Sequence, residues 1–297
     1  MQDYRKYLQP SVIAGLNNIE LKARLVVEGF ITGLHKSPYH GFSVEFAEHR
    51  QYRPGDEVRY LDWKIFGRTD KYYVKEFEEE TNLRSIIAVD TSGSMGFSSK
   101  GNIPKIEYAS YLAAALAYML IQQRDAVGLA LYDTKIQYYV PPRSRRTYLN
   151  EILKILSNVK PANETGTASA LDSLAERIKR RGLVIIISDF FDEEESVLNA
   201  LKHFRHKNHE VLAFHILDPR EIDFKFGKAA NFKDLETGEE ILTQPYHIQK
   251  AYSSAINSFI NKIKKECRNH NIDYQLIDTS LPFDKALKDY LTKRSKM

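Results

Sequence analysis

The sequence holds one cysteine, Cys267, among 297 residues, so it can form no internal disulfide and no thiolate metal cluster. A reducing compartment is the expected setting. Long apolar runs are also missing. The longest, Tyr111 to Ile121, covers about eleven residues, whereas a spanning helix needs roughly 20, so it is expected to form a helix buried inside the protein. The polar start MQDYRKYLQ lacks a charged-then-apolar leader pattern, and a cytoplasmic protein with no membrane span is expected. Neither sign of charge dominates: 43 basic against 39 acidic residues leave +4, too even to argue for nucleic acid as a partner. The local clusters RSRR (Arg143–Arg146) and KRR (Lys179–Arg181) read first as solvated surface. No P-loop and no G-x-S-x-G elbow occur, so neither nucleotide hydrolysis nor serine-hydrolase chemistry has the residues it needs.

What is present is a soluble globular composition, 43% hydrophobic and 28% charged, with enough length for one large domain or two modest ones. From Arg84 onward, strand-like and helix-like segments alternate. Strands are expected at RSIIAVD, AVGLALYD, LVIIISDF, EVLAFHILD and IDYQLIDT. Helices are expected over Pro104 to Gln123, Thr147 to Val159, Ala168 to Arg181, Glu193 to Lys207, Tyr246 to His270, and from Phe283 onward. Such alternation predicts an α/β domain with a doubly wound, mostly parallel sheet. One connection departs from it. AVGLALYD and IQYYVPP are joined by a short turn near Thr134 and Lys135, too short for a crossover helix, so the second strand should run antiparallel at a sheet edge. Residues 222–245 read as an inserted β-hairpin turning at Thr237-Gly238. Residues 1–82 read as a helix over Pro10 to Phe30 and then a small β-rich module, with a turn at Pro54-Gly55. Residues 83–297 would form the α/β domain.

In a doubly wound sheet the ligand site lies beyond the carboxyl ends of the strands, where strand order reverses. The first strand ends in Asp90 and is followed by Ser92 and Ser94; a later strand ends in Asp189; the loop ANETGTASA between them carries Thr165 and Thr167 before a helix. Carboxylates and hydroxyls together are the ligand set of a hard cation, Mg²⁺ or Mn²⁺. Taken singly, each residue is also what a helix cap or an Asx turn requires. Their joint appearance in three loops favours the cation.

DTSGSM resembles the D-x-S-x-S signature of the metal-ion-dependent adhesion site in von Willebrand factor A domains, and the antiparallel edge strand is similar to that fold's topology. A broader resemblance starts near Tyr39. YRPGDEVRYLDWKIFGRTDKYYVKEFEEE, then DTSGSM, HILDPREIDFKFG and ETGEEI, resemble the bacterial family called domain of unknown function 58, DUF58. The resemblance implies a MoxR-type AAA+ ATPase as partner. It also implies metal binding by Ser92 and Ser94 through their hydroxyls, by Asp90 directly or through water, by Thr167 (with Thr165 an alternative) and by Asp189 as third-loop acid. One departure stands out: many A domains place glycine after that acid, whereas SDFFD has Phe190 and Phe191.

Enzyme readings meet specific obstacles. A haloacid-dehalogenase-like phosphatase needs a second Asp two positions after its nucleophile, where this chain has Ser92. An aspartic-protease turn places glycine there and needs a second carboxylate. Arg53, Asp56, Arg59 and Asp62 read as an ion-pair network around Trp63. The expectation is a non-enzymatic cytoplasmic interaction protein whose Mg²⁺ site receives an acidic side chain from a protein partner.

Overall fold

A computed structural model describes residues 18–19, 22–23, 27, 49–51, 63–75, 84–123, 125–162, 165–226, 230–233, 235, 240–283 and 287. The chain forms two compact units, residues 39–82 and residues 1–38 with 83–297. The N-terminal segment thus belongs with the α/β unit, whereas the sequence groups it with the β-rich module. Ala23 and Val27, both in helical backbone, are buried in the α/β core.

The smaller unit holds strand β1 (His49–Gln51), helix α1 (Trp63–Thr69) and strand β2 (Tyr73–Lys75), with β1 and β2 antiparallel and Arg50 opposite Val74. Among its described residues a helix, α1, occupies WKIFGRT within a stretch whose aromatic content suggests strands. Asp70 ends that helix in the left-handed region, φ 53°, its N–H returning 2.9 Å to the Phe66 carbonyl. Trp63 is 58% exposed, so it is not the centre of a buried ion-pair network. The charged residues expected around it, and the Pro54-Gly55 turn, lie outside the described residues.

The larger unit runs β3 (Arg84–Asp90), α2 (Lys105–Gln122), β4 (Ala126–Tyr132), β5 (Ile136–Arg143), α3 (Arg146–Ser157), α4 (Thr167–Arg177), β6 (Leu183–Ser188), α5 (Glu194–His206), β7 (Glu210–Leu217), α6 (Pro219–Asp223), β8 (Ala230–Lys233), β9 (Glu240–Thr243), α7 (Pro245–Asn269) and β10 (Asp273–Asp278). Six strands form one sheet in the order β10-β7-β6-β3-β4-β5, parallel throughout except for the β4/β5 edge pair. The order reverses at β3, whose neighbours are β6 and β4.

Helices cover both sheet faces, which is why β3 and β6 are unbroken apolar runs. Ile87, Val89, Ile185 and Ile187 point into one core with Leu112, Leu116 and Leu120 of α2. Ile86, Ala88, Val184 and Ile186 point into the other with Leu171 of α4 and Leu201 and Phe204 of α5. At roughly 1.5–3 kcal/mol for each fully buried large aliphatic side chain, these two layers dominate the favourable side of folding. The YLAAALAYMLI stretch lies in α2 and is buried on nearly every side.

Two local differences from expectation appear in the helices. Helix α4 stops at Arg177 and leaves Lys179–Arg181 in a loop. The short helix α6 is set by a capping box: the Asp218 carboxylate accepts from Arg220 N, and Glu221 accepts from Asp218 N. The hairpin inside 222–245 is present as antiparallel β8 and β9, while its Thr237-Gly238 turn lies outside the described residues. Phe224, closing α6 at φ 50°, stacks on Tyr252 and Phe232 at 4.2 and 5.5 Å and so ties α6 and the hairpin to α7. Of the helix expected from Phe283, only Phe283 and Leu287 are described, both fully buried.

Close strand approach makes one glycine obligatory. A Cβ at Gly128 of β4 would stand 2.5 Å from the Val140 carbonyl oxygen and 2.9 Å from Pro142 N, where β5 breaks register. Backbone cannot yield as a flexible side chain can. Gly128→Ala should therefore lower stability by about 1–3 kcal/mol, read as an earlier urea midpoint; an unchanged midpoint would mean that β5 can drift outward at no cost.

Candidate metal centre

Asp90 ends β3 at the point of strand-order reversal and is fully buried. Its carboxylate gathers donors from three chain segments: Ser92 N at 2.9 Å on Oδ1, Ser188 Oγ at 2.6 Å and Thr167 Oγ1 at 3.2 Å on Oδ2. The Ser92 and Ser94 hydroxyls share a hydrogen bond at 3.1 Å. Burial, and then the charge of Asp189, hold Asp90 above the ordinary carboxylate range even though Ser188 and Ser92 hydrogen bonds favour its ionised form. Beneath it, Tyr132 is kept protonated by its own burial and by the charge of Asp90.

Capping does not account for the hydroxyls. Ser92 precedes a short 3₁₀ turn, Gly93–Gly96, without capping it through its side chain. Thr167 is the first residue of α4 rather than its cap, which is Gly166; the exposed amide of Ala168 is satisfied instead by Asp192 of the third loop, at 3.1 Å. The Asx reading holds in part, since Asp90 does accept from Ser92 N. Thr167 is brought to Asp90 through its hydroxyl.

Asp189 is the fifth expected ligand, and its setting was not legible in the sequence. Lys105, fully buried at the start of α2, places its ammonium 2.7 Å from Asp189 Oδ2 and 2.6 Å from Glu221 Oε1, with the Phe191 ring 4.8 Å away. Burial alone would lower the pKa of Lys105, but Asp189 and Glu221 outweigh it and hold the group cationic; burial meanwhile pushes Glu221 up to about 7. A second bond joins the same regions, Ser99 N to Asp218 Oδ2 at 2.9 Å. Phe190 occupies the place where many A domains have glycine, and its φ of 55° explains that preference. Its ring turns into the core, fully buried and edge-on to His215, instead of covering the hydroxyls. Burial lowers His215 to about 3, so it is neutral; its Nδ1 pairs with the Tyr274 hydroxyl at 2.7 Å.

The donors therefore fit a hard cation in part. Ser92, Ser94, Thr167 and Asp90 are gathered and suited to it, whereas Asp189 already faces a fixed positive charge. Among the described residues no cluster of three or more His, Cys, Asp or Glu side chains forms an alternative centre. Signals for Lys105, Glu221 and Ser188 were absent from the sequence: a lysine at a helix start, a glutamate near a helix end and a serine closing a strand have commoner surface or packing roles.

This strand order, with its antiparallel edge and its site at the end of the central strand, defines a von Willebrand factor A-like α/β domain. The chain belongs to the family described as protein of unknown function DUF58, whose model matches residues 48–258. It is 30% identical over 234 residues to the uncharacterized protein Rv1480 of Mycobacterium tuberculosis, an overlap covering 77% of this chain and 72% of the relative. The uncharacterized protein Mb1516 of Mycobacterium bovis matches equally. In fold it is similar to BatB of Bacteroides thetaiotaomicron (TM-score 0.50, 18% identity, 72% of this chain and 100% of that one). An aerotolerance-related membrane protein of Bacteroides fragilis is similar at TM-score 0.51 and 19% identity, with the same coverage. No helix among the described residues of this chain is long and apolar enough to cross a membrane.

Proposed function

We propose that this protein is a non-catalytic cytoplasmic interaction protein in which Mg²⁺ or Mn²⁺, held by Ser92, Ser94 and Thr167 with Asp90 and Asp189 behind them, receives an acidic side chain of a partner. The observation that carries this reading is the convergence of the Thr167 and Ser188 hydroxyls and the Ser92 N–H, from separate segments, on the buried Asp90 carboxylate at the point of strand reversal. Neutral hydroxyls leave a bound cation more of its charge than carboxylates would, and that charge is what a partner's Asp or Glu would meet. The family resemblance makes a MoxR-type AAA+ ATPase the first candidate partner.

A phosphohydrolase of haloacid-dehalogenase type is the second reading, favoured only by an aspartate at a strand end. Ser92 stands where that chemistry wants a second acid, and Asp189, the other carboxylate at the site, is held by Lys105. Phosphatase turnover that vanished in Asp90→Asn would establish it. For the interaction reading, Ser92→Ala/Ser94→Ala should weaken partner capture at least tenfold while leaving the melting temperature near wild type, because both serines lie in a loop and add little apolar packing. Full capture by this double variant and by chelated wild type would sink the metal-bridged mechanism.

A further inference from the structure

At the opposite end of the sheet, about 20 Å from Asp90 by the rise of a seven-residue strand, a cleft of about 220 Å³ opens between the starts of β3 and β6, the end of α4 and the far part of β5. Every charged side chain on its wall is basic: Arg84, Arg177, Lys179 and Arg180, with His209 beside them. On α4, the helix of Arg177, a neighbouring carboxylate is paired: Glu176 holds Lys207 at 2.6 Å. Here Arg177 lies over the Tyr139 ring at 4.3 Å, and no carboxylate among the described residues pairs with Arg84, Lys179 or Arg180. Arg181, one residue on, turns away to Glu210 at 3.8 Å. His209, 1% exposed, lies close to the backbone of Ile178 and Gly182, and its burial lowers its pKa. Gly182 shapes the wall, since a Cβ there would meet the Arg84 carbonyl oxygen at 2.1 Å.

Unneutralised cations around a concave space focus potential and attract an anion. Guanidinium groups favour oxyanions they can grip with two parallel N–H groups, and phosphate above all. The volume equals the liquid share of about seven waters at about 30 Å³ each, enough for a phosphate and a short tail but not for a folded segment. Tyr139, Pro141 and Pro142 supply an apolar side against which such a tail can lie. We propose that this cleft binds phosphate or a small phosphomonoester, gripped by Arg84, Arg177, Lys179 and Arg180, and that it is independent of the metal centre. Lys179 and Arg180 of the KRR cluster are then the mouth of a site rather than plain solvated surface.

Calorimetric titration of the full chain with inorganic phosphate, against chloride at equal ionic strength, should show one saturable site. Lys179→Gln/Arg180→Gln alters two exposed side chains, should melt at the wild-type temperature, and should weaken phosphate binding at least tenfold. Lys264→Gln/Lys265→Gln, on α7, should leave it unchanged. Tighter binding of glycerol 3-phosphate would assign the cleft to a phosphomonoester, and equal binding to phosphate itself. Phosphate heats no different from chloride, or affinity equal in wild type and Lys179→Gln/Arg180→Gln, would overturn the proposal.

Discussion

Replacing Lys105 by methionine should lower stability by about 3–5 kcal/mol, the usual cost of removing one partner from a buried ion pair. The side chain is fully buried, and its ammonium lies within 2.7 Å of both Asp189 and Glu221. Methionine fills the space of the stem, so the loss reports charge rather than a cavity. Buried Asp189 and half-buried Glu221 would remain beside a third carboxylate, Asp90, with no fixed counterion. The metal reading adds a further consequence: in this variant a divalent ion is the remaining means of neutralising Asp189, so added Mg²⁺ should restore more stability than it adds to wild type. Glu221→Gln should cost less, because Lys105 keeps Asp189. Lys105 is shifted upward on folding, so its contribution is fully present below the ordinary lysine pKa and is lost only as pH rises through the still higher folded value. Glu221, held up to about 7 and pushed higher still without Lys105, takes up a proton as pH falls, so the predicted loss should be smaller at pH 6 than at pH 8. Urea melts of the variants with EDTA and with Mg²⁺ test all of this; wild-type stability in Lys105→Met would show the ion pair to be without consequence.

Millimolar Mg²⁺ or Mn²⁺ should raise the melting point of wild type relative to EDTA, by the equivalent of about 2.7 kcal/mol at one hundred times the dissociation constant. Asp90→Asn, which keeps the shape of the carboxylate but removes its charge, should abolish the difference. The pH dependence has a definite sign. Asp90 is held above its unfolded pKa, so between the two values the folded state binds more protons and the metal-free protein gains stability as pH falls. A metal needs the ionised form, so the Mg²⁺ effect should shrink over the same interval. Identical wild-type melts in EDTA and Mg²⁺ at neutral pH would mean that Lys105 has taken the place of the metal.

The fold could be read from the sequence because its strongest constraints are local. Ile86–Val89 and Val184–Ile187 are unbroken apolar runs because parallel strands bury both faces, and the short turn after Tyr132 leaves no room for a crossover helix. Asp90, Ser92, Ser94 and Asp189 could be read as candidates for the same reason, since each ends or follows a strand, whereas Thr167 opens a helix that follows another helix. Lys105 could not, because its role depends on Asp189 and Glu221, 84 and 116 residues away. Helix α1 was missed because Trp, Ile and Phe favour strands as readily as helices, and its end is set by the backbone of a single residue, Asp70.

Phe190 bears on timing. Glycine in the left-handed region after the third-loop acid would let that backbone exchange conformations freely; phenylalanine there carries a cost of roughly 1–2 kcal/mol and anchors its ring in the core, so rearranging the loop means withdrawing an aromatic side chain first. The third loop is therefore already set when a partner arrives. Encounter with it should proceed in one kinetic phase, its observed rate rising linearly with partner concentration and free of the plateau that a preceding loop rearrangement would impose.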